Sequence, residues 1–228
     1  MFFTPYFEEE IFVKYKAVLF DLDGTLLDTL ADLADSMNAV LCAQDYPVHA
    51  IDAYRYFIGD GIENLVRRAL PESARDEESV ARGKAAMDGE YNQRWNAKSR
   101  PYAGVPDLLD ELAHRQVPMA ILSNKPEPFT LLAVNELLSS WTFAPVRGAR
   151  PDTPRKPDPA AALAVAAELD VAPADCLYLG DTDTDMRTAV RADMCALGAT
   201  WGFRSGEELL RTGAQKLLDE PLELLDLL

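Results

Sequence analysis

Asp21 and Asp23 stand two residues apart in the octad Asp-Leu-Asp-Gly-Thr-Leu-Leu-Asp, which directly follows the apolar run Ala17-Val18-Leu19-Phe20. That run reads as a buried strand. Two carboxylates and a Gly-Thr turn therefore fall where a strand ends and its loop begins, the place where open α/β sheets bind ligands. A pair of carboxylates there can divide the labour. One can attack an electrophile and form a covalent intermediate, while the other moves protons. Asp-Gly is also a common turn signal, so the weight of the reading comes from three distant companions. These are Ser123-Asn124-Lys125 after the apolar residues 119–122, Lys156-Pro157, and Gly180-Asp181-Thr182-Asp183-Thr184-Asp185 after the apolar residues 176–179. Phosphate monoesters hydrolyse extremely slowly unaided. A catalyst must align the reactants and neutralise charge on the phosphoryl oxygens, and this set of hydroxyl, amines and carboxylates suits that task.

The elements that must position these groups follow from periodicity. Leu30, Leu33, Ala34, Met37, Val40 and Leu41 recur at helical steps after Asp28, and Asp28 or Thr29 can cap that helix. Further helices are predicted over 51–58, 62–70 and 77–95, with Gly59-Asp60-Gly61 as a break and Pro71 as a stop. From Val105 onward helices over 106–115, 127–138, 157–169 and 183–192 alternate with strands over 117–122, 143–146, 176–179 and 194–199. This alternation predicts an α/β fold with a doubly wound parallel sheet and helices on both faces. A small all-helical block is inserted after the first strand. The expected division is residues 1–30 and 101–228 for the sheet domain and 31–100 for the insert, with hinges near 28–31 and 99–104. Residues 1–14 are expected to be an extra edge strand or a loose arm.

Composition narrows the function classes. Thirty-eight acidic against 22 basic residues give a net charge of −16, which disfavours nonspecific binding to nucleic-acid backbones. Phosphorylated metabolites are repelled at long range too, so cations must reverse the field locally. Lys125, Lys156 and a divalent metal are the candidates. The three cysteines, Cys42, Cys176 and Cys195, form no Cys-x-x-Cys pair, so neither a disulfide framework nor a zinc site is expected. His49 and His114 are the only histidines, which leaves little room for histidine-based catalysis. Glu8, Glu9 and Glu10 interrupt the aromatic N-terminus, so no signal peptide or membrane span is expected and a cytoplasmic location is.

In their order along the chain, the four clusters resemble those of the haloacid dehalogenase superfamily, whose members are mostly phosphatases. The resemblance runs from about Lys16 to the C-terminus. Pro101-Tyr102-Ala103-Gly104-Val105 and Ser123-Asn124-Lys125-Pro126 look particularly like the phosphoglycolate phosphatase branch. The resemblance implies a Rossmann-like core with a mobile helical cap, and Asp21 as the nucleophile that forms an aspartyl phosphate. Asp23 is placed to protonate the leaving alkoxide and then to activate water. Ser123 and neighbouring main-chain N–H groups offer donors to the phosphoryl oxygens, and Lys156 supplies a positive charge between nucleophile and phosphate, as the family's lysine does.

A counter-ion is required beside these carboxylates. Mg²⁺ suits the site as a hard ion that takes a few carboxylates plus phosphate and water oxygens. Its expected ligands are Asp21, the main-chain oxygen of Asp23, and Asp181. Asp185 can bind the metal through water, orient Lys156 or favour a helix N-terminus, with support of the other groups preferred. Asp183 is read as a solvated helix cap. Substrate contacts are expected from Thr25, Asn124, Lys125, Gly59 and Gly61, while Arg67 and Arg68 read as a solvated helix face and the tryptophans as packing. The expected partner is a small phosphorylated metabolite, 2-phosphoglycolate first, bound by a monomer or homodimer. Pyrophosphate and sugar phosphates are the alternatives, and a phosphomutase is the rival class.

Overall fold

In the computed structural model, which describes residues 15–228, the apolar run after Lys16 forms β1 (Ala17–Phe20), every residue of which is buried. The other sheet strands are β4 (Met119–Pro126), β5 (Val146–Ala149), β6 (Cys176–Gly180), β7 (Cys195–Ala199) and β8 (Lys216–Leu218). They pair in the order β5-β4-β1-β6-β7-β8, and every pairing is parallel. Renumbered by chain order, this is the 3-2-1-4-5-6 arrangement, in which the winding reverses between the central pair of strands. Here that pair is β1 and β6.

Strand periodicity assigns the two faces. Val18 and Phe20 of β1, with Leu177 and Leu179 of β6, belong to one apolar cluster, whereas Ala17, Leu19, Cys176 and Tyr178 belong to the other. Helices α5 (Val105–His114) and α6 (Glu127–Leu137) cover the first face. Helices α7 (Ala160–Glu168), α8 (Asp183–Arg191) and α9 (Gly206–Thr212) cover the second. Burial on both faces is what lets parallel strands be apolar throughout.

The helical insertion comprises α1 (Leu30–Ala43), a 3-10 turn at Ile51–Ala53 with α2 (Tyr54–Phe57), α3 (Ile62–Ala69) and α4 (Glu77–Arg94). It lies between β2 (Leu27–Asp28) and β3 (Arg100–Pro101), which pair antiparallel as a two-stranded ribbon. The expected hinges fall on this ribbon. The expected arm or edge strand over residues 1–14 lies outside the described residues.

Several boundaries differ from the sequence reading. The helix expected over 51–58 is a 3-10 turn and one short α-turn, in which Tyr54 is the single buried residue; one inward side chain gives no continuous apolar face. The strand expected over 143–146 runs instead over Val146–Ala149. Pro145 has no N–H for a ladder, and Phe143 packs edge-on against Phe20 at 6.5 Å. Helix α7 starts at Ala160, whose N–H is accepted by Asp158 Oδ1 at 2.9 Å, rather than at the prolines before it. Strand β4 continues through Ser123, Asn124 and Lys125. Among the described residues, no helix is long and apolar enough to cross a membrane.

Candidate active site

Asp21 leaves the end of β1 with its N–H bonded to Leu179 O of β6 at 2.9 Å, so it sits over the β1/β6 switch point. The chain then turns sharply: Leu26 and Leu27 N–H groups both return to Leu22 O, at 3.0 and 2.9 Å. Gly24 holds φ +89°, and a Cβ there would lie 2.2 Å from Asp181 Oδ2. A side chain at this position would displace the Asp181 carboxylate. That is the physical content of the glycine in the octad.

Asp181 follows β6 and is fully buried. Its Oδ1 accepts from Thr25 Oγ1 at 3.0 Å and its Oδ2 from Phe203 N at 2.8 Å. Thr25, expected to touch substrate, has a completely buried side chain and positions Asp181 instead. The N-cap of α8 is Thr182 in a reciprocal capping box with Asp185. Asp183 is therefore not the cap expected of it: it is the first helical residue, paired with Arg187 at 3.2 Å. Thr182 wins because its hydroxyl reaches the Asp185 N–H while Asp185 Oδ2 reaches back to Thr182 N at 3.1 Å.

Lys156 connects the carboxylates. Its Nζ donates to Asp185 Oδ1 at 2.6 Å and stands 2.8 Å from Asp21 Oδ1, with a side chain only 2% exposed. This buried Asp21 oxygen is held by the ion pair with Lys156 and has no further hydrogen-bond partner. Asn124 fixes the lysine's backbone. Its Oδ1 accepts from Lys156 N at 3.0 Å, and its Nδ2 donates to Lys156 O at 3.0 Å and to Gly59 O of the insertion at 3.1 Å. Lys125 is equally committed, with Nζ 3.0 and 3.1 Å from the two oxygens of Asp23 and 2.7 Å from Tyr91 OH. Ser123 Oγ accepts from Lys125 N at 3.3 Å.

The electrostatics report excess negative charge. Burial first, and the Asp185 carboxylate second, push Asp21 up to about 7 against the pull of Lys156. Burial, Asp21 and Asp185 hold Asp181 well above the usual carboxylate range. Burial alone would lower both lysines. The carboxylates around them outweigh it and hold Lys156 and Lys125 above the ordinary amine value.

Asp21, Asp181 and Asp185 each place one oxygen within 4.8 Å of the others, all three buried. Buried like charges this close need a cation or protons, and an all-oxygen donor set fits a hard divalent ion. Asp21 Oδ1 meets the Lys156 ammonium at 2.8 Å without a hydrogen bond of its own, whereas both Asp185 oxygens are hydrogen-bonded, to Lys156 and to Thr182.

A cleft open to solvent lies between sheet and insertion. Asp21, Asp23, Ser123, Asn124 and Lys125 line it from below, and Gly59, Gly61, Ile62, Leu65 and Tyr91 from above. Arg67 and Arg68 do not line it: Arg67 pairs with Glu77 at 3.0 Å, and Arg68 pairs with Asp60. Sequence reasoning missed Tyr91 and Arg204. Tyr91 belongs to the inward series Val80, Gly83, Met87 and Tyr91 of α4. That spacing marks the ring as buried but says nothing about where its hydroxyl goes. Arg204, 6% exposed, donates from the sheet domain to Arg55 O and, at 2.9 Å, to Ile58 O of the insertion; no sequence signal marks it.

Phosphoglycolate phosphatase 1 of Pseudomonas aeruginosa is 32% identical over 213 residues, covering 92% of this chain and 78% of that protein. Phosphoglycolate phosphatase of Vibrio parahaemolyticus is 30% identical over 216 residues, covering 92% of this chain and 95% of that one. A crystal structure from Lactobacillus delbrueckii subsp. bulgaricus superposes with a TM-score of 0.85 at 28% identity, covering 92% of this chain and 96% of that one. The profile of the haloacid dehalogenase-like hydrolases matches residues 18–199. With that match over most of its length, and the carboxylates gathered at the ends of β1 and β6, the chain belongs to the haloacid dehalogenase-like hydrolases.

Proposed function

We propose that the protein is a phosphoric monoester hydrolase that works through a phospho-Asp21 intermediate, with 2-phosphoglycolate as its favoured substrate. The observation that carries this reading is the pairing of Asp21, whose Oδ1 lacks a hydrogen bond, with Asp23 at one cleft floor. Each carboxylate has its own buried lysine. In the first step an Asp21 oxygen attacks phosphorus, the bond from phosphorus to the leaving oxygen breaks, and Asp23 gives that oxygen a proton. In the second, water attacks phosphorus, its proton passes to Asp23, and the bond from phosphorus to Asp21 breaks. Phosphate leaves and both carboxylates return to their starting states. Lys156 keeps Asp21 oriented and offsets charge on the phosphoryl group. Ser123 and the main-chain N–H groups around it supply donors to its oxygens.

Asp21, Asp181 and the main-chain oxygen of Asp23 would hold a Mg²⁺, with Asp185 keeping Lys156 in place behind them. When bound, the ion supplies positive charge that screens the carboxylates from the incoming phosphate. The names of the Pseudomonas and Vibrio relatives favour 2-phosphoglycolate; pyrophosphate and hexose phosphates are its rivals on the same groups. Phosphate release across these substrates ranks them. Asp21→Asn is expected to abolish turnover with every substrate while the protein stays folded, because an amide cannot form the acyl phosphate. Turnover within about tenfold of the parent protein would remove Asp21 as nucleophile, since a lost nucleophile costs several orders of magnitude.

A further inference from the structure

Lys125 is the second buried lysine of the site, and its surroundings raise a question that the reaction scheme leaves open. Its ammonium has three N–H donors, and three acceptors surround it: the two Asp23 oxygens at 3.0 and 3.1 Å and Tyr91 OH at 2.7 Å. The ammonium also lies 4.7 Å from the centre of the Tyr91 ring, within cation–π reach. Tyr91 comes from α4 of the insertion, 34 residues from Lys125 in the chain, and is 3% exposed. Its ring packs edge-on against Phe129 of α6, 5.1 Å between centroids. The phenol is therefore gripped on the sheet domain's side although its helix belongs to the insertion.

Resting on the reading of Asp23 as proton donor, we propose that Tyr91 is a positioning residue for Asp23, acting through Lys125. It would deliver that support from the insertion. The argument is one of complete pairing. A buried ammonium that loses an acceptor leaves an N–H unpaired, which is costly in an enclosed site. Without the Tyr91 hydroxyl, Lys125 must shift toward whatever acceptor remains, and the carboxylate that it grips by both oxygens shifts with it. Asp23 exchanges a proton with the leaving oxygen, so its placement matters most when the departing group is a strongly basic alkoxide. It matters least for a group that leaves readily as an anion. Tyr91 also lines the cleft, so the same helix that covers the substrate completes the support of the acid beneath it.

The experiment is the effect of Tyr91→Phe on kcat/KM for an alkyl phosphate, 2-phosphoglycolate, and for p-nitrophenyl phosphate, whose leaving group needs no proton. Because kcat/KM covers only the steps up to release of the alcohol or phenol, hydrolysis of phospho-Asp21 does not enter the comparison. The loss on the alkyl ester is expected to exceed that on the aryl ester by about tenfold or more, the scale of a positioned acid's contribution. Lys125→Met should give the same selective loss, and adding Tyr91→Phe to it should change the alkyl-to-aryl ratio little, because both act along one path. Equal losses on both esters, or independent losses that multiply in the double variant, would overturn the proposal and leave Tyr91 a packing residue. Failure of the underlying scheme looks different: full turnover by Asp21→Asn would overturn both together, whatever Tyr91→Phe does.

Discussion

Lys156 touches two carboxylates at once, and that fixes what its loss should do. With Asp185 Oδ1 at 2.6 Å and Asp21 Oδ1 at 2.8 Å, it is the cation that bridges the proposed nucleophile and the carboxylate of the α8 capping box. Lys156→Met keeps the volume and removes the charge. Phosphate release should fall by about 10²–10³-fold, the scale seen when one preorganised charge-stabilising donor is removed. A loss of less than tenfold in a steady-state assay would leave Lys156 as a structural ion-pair partner only. Asp181 tells a related story, since its two oxygens are aimed by Thr25 and Phe203 N. Gly24 leaves the room for it.

At the scale of elements, the return from the insertion to the sheet domain hangs on one carboxylate. Asp32, in the first turn of α1 and 1% exposed, accepts from Lys98 N at 2.9 Å, from Ser99 N at 2.8 Å and from Ser99 Oγ at 2.7 Å. This clamp fixes the residues just before β3 to the start of α1, beside the β2–β3 ribbon. Asp32→Ala strands buried donors and should cost about 2–3 kcal/mol in urea unfolding, in the range for unsatisfied buried groups. Asp32→Asn keeps one acceptor and should cost less. An Asp32→Asn variant as stable as the parent protein would mean that the carboxylate merely fills space.

For the whole molecule, the crowded carboxylates couple metal, protons and stability. Asp21 moves from its ordinary 3.8 to about 7 in the fold, and Asp181 moves in the same direction. Through these two groups the folded state binds protons that the unfolded one has released between about pH 4 and pH 7. Their contribution to metal-free stability therefore falls as pH rises through that window. Mg²⁺ competes with those protons, so it should raise the melting temperature more at pH 8 than at pH 5. Equal shifts at both values would argue that the ion binds elsewhere.

The division of labour between the two parts is also testable at this scale. Asn124 to Gly59 O, Thr184 to Asp60 and Arg204 to the α2 region hold the insertion over the cleft. Its Ile62 and Leu65 line the cleft. Ile62→Ala is expected to reorder kcat/KM among 2-phosphoglycolate, pyrophosphate and hexose phosphates while sparing turnover of the small donor acetyl phosphate. A uniform loss across all four would assign the residue to the fold rather than to selection. Gly61 is a poorer probe, because its φ of +87° strains any side chain placed there.

The local signals in the chain were enough for the order of the sheet strands as far as β7, with β5 displaced and β8 missed, and for where the candidate site residues stand along them. Apolar runs of strand length end in clusters of Asp, Ser, Lys and Gly, and a parallel sheet can put such clusters only at one edge. Asp21, Ser123 and Asp181 were thus legible as neighbours before any coordinate. What no local pattern encodes is who bonds whom across the cleft. Thr25 serves Asp181 from 156 residues away, and Lys125 joins Asp23 to Tyr91 from the other part of the molecule. The two-residue strands β2 and β3 were invisible because so short a ribbon carries no periodicity. The chain alone determined which chemistries could meet. Only the tertiary packing, within the sheet domain and of the insertion against it, decided which side chains aim them, because those contacts close long loops and leave no mark in the spacing of neighbours.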